Sequence, residues 1–352
     1  MTLRFDHRSL AQRVRFAAGG AHGALSAEVR ERGARAVMVL AAATEQPIAE
    51  EITAGLPVAV RHADVVMHVP TSVADRARDV AAAHDVDLVV SIGGGSTTGL
   101  AKAVALTSGL PIVAVPTTYA GSEATNVWGL TEASRKTTGT DDRVLPSTVV
   151  YDASLTTSLP VDLSVASGLN ALAHCVDSMW APRADPINAA LAGEGIRALG
   201  RGLPAVVDDP QGLDGREHAL YGAYLSAVAF ASAGSGLHHK ICHVLGGMFD
   251  LPHAQTHAVV LPHVLALNAP AAPEADRRIA GAFGSADAVS GLADLRARLD
   301  APRALRDHGM PHDGIAAAAR AVVAAAPADN PVEVTQENIT ALLEAAWEGR
   351  TR

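Results

Sequence analysis

The sequence holds little that would indicate a secreted or membrane protein. Only 2 of its 352 residues are cysteine, too few for a disulfide framework, so we expect a reducing cytoplasm. The longest apolar runs, such as residues 36–43, are far shorter than the roughly 20 residues that span a bilayer. The first residues show no apolar stretch followed by a cleavage site, so we expect no signal peptide.

Basic tracts are also missing. The chain has 28 Lys and Arg against 37 Asp and Glu, which gives a net charge of −9. Aromatic residues make up only 3% of the sequence and do not cluster with Lys or Arg. Such a chain has no surface suited to polyanions, so we expect neither a nucleic-acid partner nor a membrane partner.

The hydrophobic pattern of the first part of the chain predicts a parallel sheet. Short β-branched runs alternate there with helical segments, and the runs lack the polar alternation of a half-exposed sheet. This is typical of strands covered by helices on both faces. The predicted strands are 36–41, 65–69, 87–92, 111–115 and 147–151, and the predicted helices are 45–54, 72–84 and 97–108.

The second part of the chain has helical periodicity only. The predicted helices are 164–180, 188–200, 215–233, 238–248, 290–298, 314–325 and 335–348. We therefore predict an α/β plus all-α protein, because a single core rarely grows beyond roughly 250–300 residues. A Rossmann-like, parallel-sheet, dinucleotide-binding domain would cover residues 1–158, and a helical substrate and catalytic domain residues 159–352. We expect the site in the cleft between them.

A glycine-rich segment follows the predicted strand 87–92 and precedes a helix. Glycine permits positive φ and close backbone approach, and a helix N-terminus presents free N–H groups to a pyrophosphate. A polar loop follows the next strand, and parallel strands bring both loops to one side of a sheet. A purely structural turn is the alternative, but two such loops favour phosphate binding. The candidate cofactor-binding residues are Gly93, Gly94, Gly95, Ser96, Thr117, Thr118 and Ser122.

The first predicted strand is not followed by the acidic residue that commonly binds the ribose of NAD. Residues 40–44 are Leu-Ala-Ala-Ala-Thr, which contain nothing that would repel a 2′-phosphate. We therefore expect both NADH and NADPH to be accepted.

A set of polar residues in the second domain is spaced for helix faces. Asn170 and His174 are four residues apart, and so are His239 and His243. Three histidines with a fourth polar ligand would suit a divalent metal ion. The alternative is that each histidine packs between helices. The candidate catalytic residues are Asn170, His174, His239, Lys240, His243 and His253.

These motifs, in this order, resemble the iron-containing alcohol dehydrogenase superfamily over nearly the whole chain. They are Gly-Gly-Gly-Ser, Pro-Thr-Thr followed by Ser-Glu, and His-x-x-x-His-x-Leu-Gly-Gly followed by Pro-His. The resemblance implies the dehydroquinate synthase-like fold and a nicotinamide cofactor. In metal-dependent members an Asp and three His bind the metal, and the matching positions are Asn170, His174, His239 and His253. The histidine that matches His243 lies near the nicotinamide.

Asn170 departs from the metal-dependent pattern. An amide oxygen is a neutral and weaker ligand for a hard cation than a carboxylate, so we expect no tightly bound metal. Asn170 and the stretches 93–102, 167–174 and 237–247 resemble the maleylacetate reductases of this superfamily. That resemblance implies a cytoplasmic homodimer that reduces the C=C bond of maleylacetate, a small dicarboxylate, with NADH or NADPH in aromatic-compound degradation.

The sequence suggests a role for each candidate side chain. We place His243 beside the nicotinamide, with His243 or His253 as the proton donor. Lys240 and His239 would bind a carboxylate or the ketone oxygen, His174 would be a further hydrogen-bond donor, and Asn170 would donate its amide. Two alternatives stay open: a metal-dependent alcohol or polyol dehydrogenase on the same fold, and a catalytically silent ligand-binding relative.

Overall fold

The computed structural model describes residues 3–132 and 135–350, which form two compact units. One unit is Leu10–Leu159, and the other combines residues 3–9 with residues 160–350. The sequence-based boundary was placed between residues 158 and 159, with residues 3–9 in the first domain. Their grouping with the helical unit has a physical basis, because His7 Nδ1 lies 2.9 Å from Asp185 Oδ2. No local pattern indicates a contact between residues so far apart in sequence.

The first unit contains the predicted parallel sheet, which has six strands rather than the five predicted. The strand order is β1-β8-β5-β4-β2-β3, and every pair is parallel. The central strands are buried along their whole length, which is typical of a parallel sheet covered on both faces. The strands are β1 (Arg13–Phe16), β2 (Val37–Leu40), β3 (Val58–His62), β4 (Leu88–Gly93), β5 (Ile112–Pro116) and β8 (Thr148–Tyr151).

In the described part of this unit, four α-helices and a hairpin accompany the sheet. The hairpin strands are β6 (Val127–Glu132) and β7 (Arg135–Thr140), and the helices are α1 (Ala21–Glu31), α2 (Gln46–Ile52), α3 (Thr71–Ala83) and α4 (Gly95–Ser108). Successive residues of a strand point to opposite faces. Accordingly, Met38 and Leu40 of β2 pack with α3 and α4, whereas Val37 and Val39 pack with α1 and α2. The sheet therefore separates two hydrophobic cores.

One predicted strand was wrong. Residues 65–69 form no strand, because His68 and Val69 have φ of 64° and 47°, which a strand does not permit. The strand of this region is β3, which lies earlier in the chain and at the edge of the sheet, and its residues alternate between partly buried and exposed. Strand β3 is not a continuous apolar run, so the sequence pattern did not predict it. Strand β1, helix α1 and the hairpin were not predicted either.

The second unit is helical, and its described part contains no strand. Its helices are α5 (Val161–Ser178), α6 (Pro186–Asp208), α7 (Leu213–Ala233), α8 (Leu237–Phe249), α9 (His253–Asn268), α10 (Pro273–Phe283), α11 (Ala288–Arg298), α12 (Ile315–Ala325) and α13 (Gln336–Glu348). All seven predicted helices are present, and α9 and α10 were not predicted.

Pro262 lies inside α9, where a proline normally costs about 3 kcal/mol. The buried side chains of Val259, Val260 and Val264 offset that cost.

Candidate active site

The glycine loop has the conformation that the sequence predicted. Gly93 ends β4 with φ of 148°, which L side chains rarely adopt. A Cβ on Gly93 would overlap the carboxylate of Glu45, and a Cβ on Gly94 would come within 3.1 Å of Thr118. Helix α4 begins at Gly95, and its N-cap, Gly94, has no side chain to cap it. The first N–H groups of α4 therefore remain available to an anion.

The second predicted loop lies beside the first. Gly93 is paired with Pro116 in the sheet, and Thr117 donates its backbone N–H to the carbonyl of Gly93 at 3.2 Å. Thr117 and Thr118 are thus brought together with the glycines, and Ser96 lies in the first turn of α4. This arrangement suits the pyrophosphate of a dinucleotide.

Lys102, which sequence reasoning did not single out, ties the second loop to α4. Its ammonium is fully buried and donates to Ser122 O at 2.6 Å, Thr125 Oγ1 at 3.0 Å and Val127 O at 2.8 Å. Burial lowers the pKa of Lys102 to about 7, and the charge of Glu123 opposes this shift. Three acceptors match the three N–H donors of an ammonium. Ser122 therefore lies in a loop whose position depends on Lys102.

Glu45 places a carboxylate at the glycine loop. From the sequence we expected no acidic residue directly after the first predicted strand. A single 3-10 turn after β2 brings Glu45 back over Gly93, and Thr117 donates its hydroxyl to Glu45 Oε1 at 2.6 Å. Burial raises the pKa of this carboxyl, and the hydrogen bond from Thr117 opposes the rise. The expectation that no acidic residue follows the first predicted strand was therefore wrong, because it considered only residues 40–44 and Glu45 comes directly after them.

In the helical unit, the predicted histidines come together. The ring centroids of His174 on α5 and His239 on α8 are 4.9 Å apart and the rings are stacked, and His243 lies 6.2 Å from His239. His253 at the start of α9 is 4.4 Å from His257, which in turn is 5.0 Å from His239. One continuous cluster of imidazoles thus joins α5, α8 and α9.

Among the candidate catalytic residues of this cluster, three buried polar atoms have no hydrogen-bond partner in the part of the chain that the structure describes. They are Asn170 Oδ1, His174 Nδ1 and His239 Nε2. Unpaired buried polar atoms are costly and rare, so such a group indicates a place for a ligand. Lys240 is half-buried, and its ammonium pairs with none of the described residues. The structure thus gives no contact that joins Lys240 to the histidines.

Two imidazoles of the cluster, those of His174 and His239, are held in their neutral forms. Burial, and then the nearby ring of His243, lower the pKa of His174 to about 4. Burial and four neighbouring histidines hold the pKa of His239 well below its ordinary value. Near neutral pH these two rings therefore offer nitrogen atoms rather than fixed positive charges.

Asp177 lies at the candidate site and was not among the residues that the sequence singled out. Its Oδ2 lies 2.7 Å from His239 Nδ1, within hydrogen-bond distance. Burial raises the pKa of Asp177 to about 7, whereas hydrogen bonds from backbone N–H groups oppose the rise. With Asp177 ionised, a neutral His239 carries its proton on Nδ1 and presents a lone pair on Nε2. The i,i+3 spacing of Asp177 from His174 was a usable signal, because it puts both on one face of α5.

The same carboxylate caps helix α8. Gly236 donates its backbone N–H to Asp177 Oδ2 at 2.8 Å, and His238 N lies 3.4 Å from Oδ1. A negative charge is favourable at a helix N-terminus. A Cβ on Gly236 would overlap the Asp177 carboxylate, so only glycine permits this close approach. Asp177 therefore sets both the orientation of His239 and the start of the helix that carries it.

A second buried group lies next to these residues. His238 Nε2 and His257 Nδ1 are 2.9 Å apart, and Cys242 Sγ is 3.6 Å from His238 Nε2. Among the described His, Cys, Asp and Glu side chains, these are the three whose ligand atoms lie within 4.8 Å of one another. His174, His239 and His253, which the motif resemblance matched to metal ligands, do not form such a group among the described residues.

Comparison with known proteins assigns the chain to a family. Residues 11–153 match the family described as iron-containing alcohol dehydrogenase, and residues 164–347 match its C-terminal family. An iron-containing alcohol dehydrogenase from Corynebacterium glutamicum superposes with a TM-score of 0.98 at 60% identity, over 99% of this chain and 98% of that one. The chain belongs to the iron-containing alcohol dehydrogenase family and is an oxidoreductase of that family.

Within the family, the chain is similar to maleylacetate reductases. The maleylacetate reductase of Sphingobium indicum is 47% identical over 349 residues, which cover 99% of this chain and 98% of that protein. The structure of maleylacetate reductase from Agrobacterium tumefaciens superposes with a TM-score of 0.94 at 40% identity and covers 100% of both chains. The resemblance expected from the motifs is thus confirmed.

No helix in the described ranges is both long and apolar enough to cross a bilayer.

Proposed function

We propose that this enzyme reduces the C=C bond of maleylacetate to give 3-oxoadipate. Maleylacetate is a dianion whose double bond is conjugated to a ketone. The observation that carries the proposal is the buried set of unpartnered polar atoms of Asn170, His174 and His239, which leaves room for a polar ligand and whose imidazoles become donors once protonated. Carbonyl reduction develops charge on one oxygen, where a metal helps directly, whereas an enolate spreads its charge. Hydrogen-bond donors can stabilise such a delocalised charge.

NADH or NADPH would supply the hydride, which adds to the carbon β to the ketone. The residues present fit such a cofactor, because the loop at Gly93 needs glycine and the N-terminus of α4 is uncapped by a side chain. Gly94, Gly95, Ser96, Thr117, Thr118 and Ser122 belong to the same proposed binding site. Glu45 disfavours a 2′-phosphate, so we propose that both cofactors work and that NADH works better.

The chain's own residues stabilise the enolate and return a proton to carbon. A bound dianion favours protonation of His239, because Asp177 stabilises the imidazolium from the other side of the ring. His239 then donates from Nε2, a role that its neutral form in the structure does not offer. His243 or His253 supplies the proton to carbon. Lys240 binds a carboxylate, His174 is a further hydrogen-bond donor, and Asn170 donates its amide to the substrate.

We also propose that the site holds no metal tightly. Asn170 replaces the anionic ligand of metal-dependent members by a neutral amide. The ligand nitrogens of the three matching histidines do not converge as a tight site requires. Both observations support hydrogen-bond catalysis, and no step above needs a metal.

The test is NADH consumption with maleylacetate, before and after treatment with EDTA, together with metal analysis of the untreated protein. We expect rapid turnover that chelation leaves unchanged. His243→Ala should lower turnover at least tenfold, whereas His312→Ala, at an exposed ring, should not. Stoichiometric zinc or iron with loss of activity on chelation would instead indicate a metal-dependent alcohol dehydrogenase. Cofactor binding without turnover would indicate a silent relative.

We propose in addition that the enzyme is a cytoplasmic homodimer. Both cysteines are free and buried, as expected for small packing residues in a reducing compartment. Strand β1 is an edge strand of the sheet, and its outer edge pairs with none of the described strands. Unpaired edges are natural places for strand addition from a second chain. Light scattering after gel filtration should give twice the monomer mass.

A further inference from the structure

A cavity of about 500 Å³ lies in the helical unit between α9, α11 and α13. That volume is within the range of small-molecule sites. Its walls are mainly aliphatic and include Leu265, Leu292, Ala293, Ala297, Leu342 and Ala345. No residue of the histidine cluster lines it, although α9 contributes to both places. The cavity is therefore distinct from the candidate active site.

A buried cation lies in this apolar wall. The side chain of Arg296 lines the cavity and is only 7% exposed. Its guanidinium donates to the carbonyl oxygens of Ala258 and Pro302, the second at 2.7 Å. These bonds use two of five N–H donors, and no carboxylate of the described residues forms an ion pair with Arg296. A buried charge without a counter-ion is unfavourable, so this site favours an anion.

A second guanidinium, that of Arg303, belongs to the same cavity. None of the lining residues is acidic. Burial, and then the charge of Arg303, lower the pKa of Arg296 to about 10. Asp300 pairs with Arg303 at 3.2 Å but is itself highly exposed and lies outside the lining. An anion near both guanidiniums would relieve their mutual repulsion.

We propose that this cavity binds a small organic carboxylate with an apolar body, aliphatic or aromatic. The guanidinium fork matches the geometry of a carboxylate, and the leucine and alanine walls match a hydrocarbon chain or ring. A short dianion such as maleylacetate has no apolar body to fill these walls. The proposed ligand is thus a different molecule from the proposed substrate, and the proposal does not depend on the reaction.

Calorimetric titration of the full-length protein tests this site. Octanoate is the carboxylate with an aliphatic body, and benzoate is the carboxylate with an aromatic body. The uncharged analogue of octanoate is 1-octanol. We expect one site per chain for at least one of the two carboxylates. We also expect octanoate or benzoate to bind at least tenfold more tightly than 1-octanol, because only a carboxylate meets the guanidiniums.

Two variants locate the probe. Ala297→Trp places a large ring at the exposed edge of the cavity and should weaken binding at least tenfold, whereas Ala316→Trp, at an exposed alanine of α12, should not. Arg303→Gln should weaken binding at least threefold. Its matched control is Arg298→Gln, an exposed arginine of α11 that pairs with Asp208 outside the cavity. Arg296→Gln removes the buried guanidinium itself and should also weaken binding. If the Arg296→Gln protein does not fold, the result with Ala297→Trp decides whether the probe binds in this cavity.

Three results would overturn the proposal. The first is the absence of binding by both carboxylates up to their solubility limits. The second is equal affinity for octanoate and 1-octanol. The third is octanoate binding that is unchanged in Ala297→Trp, or octanoate binding that is lost when maleylacetate is present at saturation. In either case octanoate would bind outside this cavity.

Discussion

His239 Nδ1 and Asp177 Oδ2 lie 2.7 Å apart, and both side chains are buried. When Asp177 is ionised, its carboxylate fixes which nitrogen of the neutral His239 ring carries the proton. It also stabilises the imidazolium if His239 takes up a second proton. An acidic residue that does not touch the substrate can in this way control the residue that does.

Asp177→Asn should lower kcat at least tenfold with a smaller change in KM. An amide can donate to Nδ1, which would move the ring proton to Nε2 and remove the support of the imidazolium. Steady-state kinetics from pH 5.5 to 9 check this, because the pH profile of kcat should also shift. Asp162→Asn, at an exposed position of the same helix, is the control. An unchanged pH profile would make Asp177 a purely structural residue.

Asn170→Asp should create a tighter metal site. The change restores an anionic oxygen one turn before His174, and a carboxylate binds a hard cation better than an amide does. Zinc titration should show at least a tenfold gain in affinity over the unmodified protein. Maleylacetate turnover should fall, because the substrate loses an amide donor and meets a negative charge. Equal zinc affinities would show that position 170 does not control metal binding.

Glu45→Gln should raise the ratio of kcat/KM for NADPH to that for NADH at least fivefold. The carboxylate of Glu45 lies beside the glycine loop, where it would repel a 2′-phosphate. Most of the change should appear in KM, since Glu45 does not take part in proton transfer. Glu51→Gln, an exposed residue of α2, should leave the ratio as it was.

Gly236→Ala should lower Tm by several degrees and reduce activity. The added methyl group would overlap the Asp177 carboxylate, which must then move away from the start of α8. Differential scanning calorimetry checks the stability. Gly246→Ala is a matched change in the same helix, and no atom lies within 4 Å of its added Cβ. That variant should be as stable as the parent or more stable, because alanine favours helix.

Stability should fall in mild acid. The pKa values of His174 and His263 are lowered to about 4, from 6.5 for an unperturbed ring. The folded state therefore binds fewer protons than the unfolded state. The stabilisation is fully present above pH 6.5 and is lost as the pH falls towards 4. Calorimetry should show a Tm that drops by several degrees between pH 6.5 and 4.5.

Asp177 opposes this trend. Its pKa is raised from 3.8 to about 7, so its contribution to stability is greatest at low pH and is lost as the pH rises through 7. His263→Gln should therefore make the acid loss of Tm shallower, and Asp177→Asn should make it steeper. His312→Gln, an exposed ring, is the control for His263→Gln. Parallel curves for all four proteins would contradict this account.

Much of the fold could be predicted from local patterns. Buried strands such as β4 are continuous apolar runs, and the helices of the second unit have clear periodicity. The glycine loop and Thr117 could be placed together, because parallel strands end at one edge of a sheet. Strand β3 escaped the same reasoning, since an edge strand is only half buried. Helix α9 escaped it because its packing overrides Pro262.

The order of apolar and polar residues along the chain determined the two structural classes, the glycine loop and the face of α5 that carries Asn170 and His174. These features depend on backbone geometry within a few residues, so one stretch of sequence is enough to specify them. Only the tertiary structure decided that Asp177 would orient His239, that Glu45 would lie over Gly93 and that Arg296 would face an apolar cavity. Such pairings depend on how whole helices and strands pack, and no local periodicity encodes a contact between residues dozens of positions apart.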